Sequence, residues 1–142
     1  MITEDYVSFE TAKLLKEKGF DSNTNCYYIE DFNDLYYSPI RENHNASIEN
    51  NEFDVHINIS SGKMSAPTLQ MAMKWLRKIH NIIIVPTQYH KYMKKKVCDE
   101  FHYGCLIFKL NTDCPLSDDN FLNKKYEKSC DSAIKYCLEN LI

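Results

Sequence analysis

Glycine is scarce in this chain of 142 residues, and the common nucleotide-binding motifs are absent. Its three glycines, Gly19, Gly62 and Gly104, stand too far apart to form the glycine-rich turn of a dinucleotide-binding fold or of a P-loop. Long apolar runs are missing too, because the longest, residues 82–85, is far below the roughly 18 residues of a membrane-spanning helix. The first residues lack the basic and apolar segments of a signal peptide, so we expect a cytoplasmic protein without membrane association.

Catalytic signatures are also absent. The five histidines are scattered, and none belongs to a zinc-protease, nucleophile-elbow or zinc-deaminase pattern. His56 follows Asp54 at a spacing that shares one face of a strand, and Cys26, or Cys98 near His102, is a conceivable nucleophile. A His–Asp pair at this spacing more often lies on the exposed face of a strand, and cysteines of this kind are more often core residues. We therefore expect no catalytic residue and no cofactor, and we favour a non-enzymatic role while leaving activity open.

Cysteine is well represented, with six residues in the chain. Without an export signal, an even number of cysteines in a chain of this size indicates reduced thiols rather than a disulfide framework. The spacing Cys98-x3-His102-x2-Cys105 offers soft ligands for zinc, but it is not a standard zinc spacing. We expect no metal site and interior thiols at these positions. Cys130 and Cys137 lie two helical turns apart, which predicts packing residues.

Three helices are predicted. Ser8 is suited to cap a helix over about residues 8–18, and Gly19 fits the left-handed residue that ends it. A second helix is predicted to begin with Ser65 as its cap and Pro67 in its first turn. Its core face is formed by Leu69, Ala72, Met73 and Leu76, extended by Ile79. The third covers about residues 125–141, with an apolar stripe of Tyr126, Cys130, Ala133, Ile134, Cys137, Leu138 and Leu141.

Strand patterns occupy much of the remaining chain. Two aromatic runs, residues 26–29 and 35–37, flank a polar five-residue connection and predict a hairpin, followed by a surface loop over residues 38–52. Further strands are predicted at residues 53–59, 82–85 and 103–110. The first of these alternates with period 2, and the second is β-branched, is expected to be buried on both faces and pairs with the third. The mixed order predicts a single α+β domain over residues 1–142, with an antiparallel or mixed sheet of about 4–5 strands and three helices mainly on one face.

All three predicted helical segments carry a resemblance to known proteins. The pattern Ser-Ala-Pro-Thr-x-x-x-Ala-x-x-Trp-Leu-Arg begins at Ser65, and residues 6–20 and parts of residues 126–139 accompany it. Together they resemble a group of small proteins, without established activity, that phages and prophages of gut bacteria encode. The resemblance covers a little under half of the chain and implies a biological context rather than a chemistry. The Asn-rich segment 43–51 and the cysteine-rich second half depart from the family pattern.

Charge is distributed unevenly. Residues 1–62 hold 12 acidic and 4 basic side chains, and residues 63–110 hold 2 acidic and 9 basic ones. Within the basic part, ammonium groups that can bind phosphates alternate with rings that can stack on bases. These candidate nucleic-acid-binding residues are Tyr89, Lys91, Tyr92, Lys94, Lys95 and Lys96. Lysine clusters are also common on solvated loops, the net charge of −3 lacks the basic excess of a dedicated nucleic-acid binder, and the segment could equally bind an acidic protein.

The acidic first part supports the opposite hypothesis. Its carboxylates either form a negative face that occupies a basic groove of a partner or keep the protein soluble. The side chains concerned are Glu30, Asp31, Asp34, Glu42, Glu49, Glu52 and Asp54.

Adjacent tyrosines mark both strands of the predicted hairpin. Tyr27 and Tyr28 on one strand, and Tyr36 and Tyr37 on the other, each point one ring to each face. One row of rings is therefore expected at the surface, either as an anchor for a partner protein or as a cross-strand pair that stabilises the hairpin. Trp75 lies off the apolar stripe of its helix, and it either widens the buried face or marks a contact surface.

These features predict a small non-enzymatic binding protein of phage type that acts by protein–protein contact in the cytosol of a host cell. Its expected partner is a host or phage protein, and an inhibitor of a host defence system, such as an anti-CRISPR protein, is a role that fits this context. The alternative is a nucleic-acid-associated accessory protein that uses residues 89–96. A metal-dependent or hydrolase-like enzyme without a motif is the third hypothesis, and a homodimer through a sheet edge is left open.

Overall fold

The computed structural model of the protein describes residues 1–45, 62–93 and 96–142. Within them, three helices and five strands form two antiparallel sheets, which confirms the predicted α+β class. The chain divides into two compact units, residues 1–68 and residues 69–142, which are described separately. The prediction of one domain stays a prediction. Outside the described residues lie the predicted strand over residues 53–59 and four predicted side chains, namely Glu49, Glu52, Asp54 and His56.

Helix α1 (Phe9–Glu17) begins and ends on the signals that predicted it. The side-chain oxygen of Ser8 accepts a hydrogen bond from the backbone N–H of Thr11 at 3.3 Å and so caps the helix. At the other end Gly19 has a φ of 85°, and the N–H groups of Gly19 and Phe20 close the paired Schellman hydrogen bonds with the last turn. Glycine suits this position because its left-handed backbone is unstrained.

The sheet of the first unit has the order β2-β1-β3, from β1 (Thr24–Ile29), β2 (Phe32–Glu42) and β3 (Lys63–Ala66). The predicted hairpin is present, but its connection has two residues instead of five, and β2 continues through the first part of the predicted loop. The polar composition of β2 misled the prediction. Within the described residues β2 is an edge strand, where polar side chains stay solvated and the missing N–H of Pro39 costs little.

The predicted cap of the second helix is wrong. Helix α2 (Leu69–His80) begins four residues after Ser65, which belongs to β3 and pairs with Tyr27. The backbone N–H of Ser65 donates to the side-chain oxygen of Asn45 at 2.8 Å. Ser65 is thus committed to the strand ladder and cannot cap a helix. The buried residues of α2 are Leu69, Ala72, Trp75 and Leu76; the prediction is wrong for Ile79, which lies in the last turn and is 62% exposed.

The sheet of the second unit is a long hairpin of β4 (Ile82–Met93) and β5 (Lys96–Lys109). Its pairing confirms the predicted partnership, and both strands are longer than predicted. Pro86 does not end β4, because in a two-stranded sheet one edge of each strand needs no partner. The prediction that this strand is buried on both faces is also wrong. Ile84 is buried whereas Val85 is exposed, as expected when one face of an antiparallel sheet packs on the core.

Helix α3 (Tyr126–Asn140) packs on both strands of this hairpin. The predicted stripe is confirmed, since five of its members are fully buried: Cys130, Ala133, Ile134, Cys137 and Leu138. In the part of the chain that the structure describes, no helix combines the length and the apolar character needed to cross a bilayer.

Candidate functional site

Tyr27 is the centre of an aromatic cluster on the sheet of the first unit. Its ring stacks on Tyr36 across the hairpin with centroids 5.7 Å apart, and the His44 ring lies 4.8 Å away. The ammonium of Lys63 lies 4.7 Å from the centroid of the same ring. The structure therefore shows the cross-strand pair that was the alternative to an anchor at these tyrosines. Partner binding by Tyr27 and Tyr36 stays a prediction.

His44 is buried beside this cluster, which the sequence did not reveal. Its Nε2 lies 3.0 Å from the carbonyl oxygen of Thr24, and its Nδ1 lies 3.4 Å from Oε1 of Glu42. Burial lowers the pKa of His44, and the charge of Lys63 acts in the same direction, against the raising effects of Thr24 and Glu42. The neutral ring donates from Nε2 to Thr24. This hydrogen bond therefore holds the chain after β2 against β1, and it occupies the ring nitrogen that carries the proton.

Tyr28 and Trp75, two of the predicted partner-binding residues, lie in buried faces. The Tyr28 hydroxyl donates to the carbonyl oxygen of Val7 at 2.8 Å, and its ring meets Phe9 edge to face. Trp75 packs against the ring of His80. For Trp75, the wider buried face is the alternative that the structure supports. Both side chains are 7% exposed and contribute to packing, and partner binding by them stays a prediction.

Four large apolar side chains of β2 remain exposed. Leu35 and Tyr37 stand opposite Tyr28 and Cys26 in the ladder, so they continue the core face of β1 onto the outer strand. Beyond them the register shifts, and residues 38–41 bulge opposite a single residue of β1. We call the exposed large apolar side chains of this strand the β2 edge surface, which consists of Phe32, Leu35, Tyr37 and Ile40.

Only one member of the β2 edge surface was predicted from the sequence to be an exposed anchor. Tyr37 is 70% exposed and was predicted as an anchor, whereas Ile40 is 66% exposed and fell within the predicted loop. Phe32 fell within the predicted connection. The polar neighbours of these residues hide the strand, because an edge strand need not alternate in the way that a half-buried strand does.

The basic segment lies on the long hairpin. The backbone of residues 89–93 belongs to β4, and Lys96 begins β5. The alternative that this part of the segment is a solvated loop is therefore wrong. Lys94 and Lys95 lie outside the described residues, as do the side chains of Tyr89, Lys91, Tyr92 and Lys96. Nucleic-acid binding by these groups stays a prediction.

Three buried thiols lie at the contact between β5 and α3. The Cys105 sulfur is 3.5 Å from the hydroxyl oxygen of Ser129, and it shares a hydrogen bond with Cys130 that keeps the pKa of Cys130 well above its usual range. Burial raises the pKa of Cys137 to about 12. Among the described residues, no three His, Cys, Asp or Glu side chains are grouped to hold a metal ion. The Cys98 side chain of the weak zinc candidate lies outside them, and His102 lines an open cavity instead.

We expect alkylation to separate the cysteines by burial. With N-ethylmaleimide under native conditions Cys114, which is exposed, should be modified rapidly. Cys26, Cys105, Cys130 and Cys137 are buried and should react only when denaturant unfolds the chain. Peptide mass spectrometry with and without guanidinium measures this. Native labelling of Cys105 as fast as that of Cys114 would contradict the packing described here.

Comparison of the chain with protein-family models, curated proteins and solved structures finds no match in any of the three. The function is therefore inferred from the geometry of the described residues, and the resemblance to phage-encoded proteins stays a prediction.

Proposed function

We propose that the protein is a non-enzymatic binding protein that acts by contact with another protein through the β2 edge surface. The observation that carries the proposal is the set of four exposed apolar side chains on β2, an 11-residue strand at the edge of the sheet that the structure describes. An exposed strand edge can pair with a strand of another chain, and pockets for its alternate side chains give such pairing its specificity. Tyrosine, here Tyr37, is among the residues that most often dominate the energy of an interface.

The charges around this surface indicate the kind of partner. Asp31 and Asp34 are exposed at one end of β2 and Glu42 at the other, with Arg41 as the only basic residue of the strand. Opposite charge at the rim of an interface speeds association and selects the partner. A partner with an apolar strip bordered by basic side chains fits this surface best. The resemblance to phage-encoded proteins supports a host or phage protein, and an inhibitor of a host defence system is the role that we propose.

The test is an affinity pull-down of the tagged protein from the cytosol of a gut bacterium, with and without nuclease, identified by mass spectrometry. We expect a stoichiometric protein partner that survives nuclease treatment. Tyr37→Ser combined with Ile40→Gln should weaken its binding by about 30-fold, which is the effect of losing a hot spot of about 2 kcal/mol. Ile79→Gln is the matched control, because Ile79 and Ile40 are exposed to similar extents, 62% and 66%.

Three outcomes would count against this function. Equal capture by the double variant and the wild-type protein would remove the β2 edge surface from the interface. Loss of every partner after nuclease treatment would favour the nucleic-acid alternative at residues 89–96. Absence of any partner under both conditions would favour an enzyme or a self-assembling protein.

A further inference from the structure

A second feature, in the second unit, is an open cavity of about 400 Å³. It lies where the segment before α3 meets β5. Its lining consists of three lysines, one histidine, one amide and one apolar side chain. These residues are Lys124, Lys125, Lys128, His102, Asn123 and Leu122. Cavities of this size are typical of small-molecule sites.

The wall of the cavity is held in place by hydrogen bonds. The backbones of Asn123 and Tyr103 exchange two N–H···O bonds of 2.8 and 2.9 Å, and the Asn123 side-chain oxygen accepts from the N–H of Lys125 at 2.9 Å. One turn into α3, the hydroxyl of Ser129 donates to the carbonyl oxygen of Phe121 at 2.7 Å. Phe121 has a φ of 52°, an unusual backbone conformation for a residue other than glycine. A wall fixed in this way needs little ordering when a ligand binds.

The charges at this cavity are the reverse of those that a helix end favours. Lys125 occupies the N-cap position of α3 and makes no capping hydrogen bond with its side chain. Lys128 lies in the first turn, where the helix dipole is positive and cations are unfavourable. Glu127 is the one acidic residue of that turn. Within the described part of the chain, neither Lys125 nor Lys128 forms an ion pair.

We propose that this cavity binds the phosphate group of a small phosphorylated molecule. A phosphate dianion offsets the lysine ammonium charges and the positive helix end together, and lysine binds phosphate as a point charge. His102 supplies a further polar group, and the side chain of Leu122, which is 56% exposed, provides an apolar wall for the rest of the ligand. The site is independent of the β2 edge surface and goes beyond the protein-binding function.

The test is calorimetric titration of the full-length protein at low salt with adenosine monophosphate, inorganic phosphate and adenosine. We expect the nucleotide and phosphate to bind and adenosine not to bind. Added salt should weaken the binding, because charge attraction at an open site is screened. Lys125→Gln with Lys128→Gln should weaken nucleotide binding at least tenfold. Lys74→Gln with Lys78→Gln removes the same charge from the exposed face of α2 and should leave the affinity within about twofold.

A second variant separates binding from folding. Lys125→Asp places a favoured N-cap residue at α3, so it should raise the melting temperature of the free protein while it weakens nucleotide binding. Unchanged affinity in the lysine variants, or no heat of binding with nucleotide and phosphate, would overturn the proposal. Equal binding of adenosine would also overturn it, as would a single-stranded oligonucleotide that binds through these lysines when the mononucleotide does not.

Discussion

Leu138→Ala should lower the free energy of unfolding by about 2–5 kcal/mol, as buried leucine truncations do. Leu138 lies on the buried stripe of α3 and is fully enclosed. Alanine removes apolar contacts and leaves a cavity that a close-packed interior cannot fully collapse. Urea unfolding followed by circular dichroism measures the change, which corresponds to a fall in melting temperature of roughly 5 °C or more.

The matched control for this substitution is Leu122→Ala. Leu122 is 56% exposed, so its truncation should change the unfolding free energy by less than about 0.5 kcal/mol. A loss below about 1 kcal/mol for Leu138→Ala would show that α3 does not contribute to the core in the way described.

Acid should destabilise the protein through His44 as the pH falls below about 6.5. Burial lowers the pKa of His44 in the native state, while the unfolded chain has the ordinary histidine value. Below that value the unfolded state therefore binds more protons, and stability falls with decreasing pH until the native pKa is reached. The slope of the unfolding free energy approaches about 1.4 kcal/mol per pH unit at most. Urea unfolding at half-unit steps of pH measures it.

Two variants assign this slope to His44. His44→Gln keeps a donor for the Thr24 carbonyl but cannot titrate, so it should flatten the profile below about pH 6.5. Glu42→Gln removes the carboxylate whose charge raises the pKa of His44, so the loss should continue to lower pH. A profile of His44→Gln with the wild-type slope would assign the acid sensitivity to other groups.

The sequence predicted the elements whose signals are local. The Ser8 cap and Gly19 end of α1, and the 3.6-residue stripe of α3, depend on positions a few residues apart, and the structure has them as expected. Ser65 carried an equally good cap signal, yet the ladder between β1 and β3 took that residue into a strand. A local pattern cannot show such competition, because the partner strand lies more than 30 residues away in the sequence.

The candidate site was less predictable than the fold for a similar reason. Tyr37 is exposed and Tyr28 is buried although both lie on the same face of one hairpin, because burial depends on how far the core extends beyond β1. The lysines at the start of α3 gave no sequence signal beyond their charge. They line a cavity beside the pairing of Asn123 with Tyr103, and that pairing joins residues 20 positions apart.

Each unit is one uninterrupted stretch of chain, with the boundary after Thr68. On the ribosome, every helix and strand of the first unit has therefore been made before α2 begins. The remaining 74 residues (142 minus 68) need roughly 4–15 s at ordinary rates of translation. Hairpins form within microseconds, so the N-terminal sheet has ample time to assemble before the second unit can compete for its strands. The strands of the first unit can therefore pair with one another before the strands of the second unit have been synthesised, which disfavours exchange of strands between the two sheets.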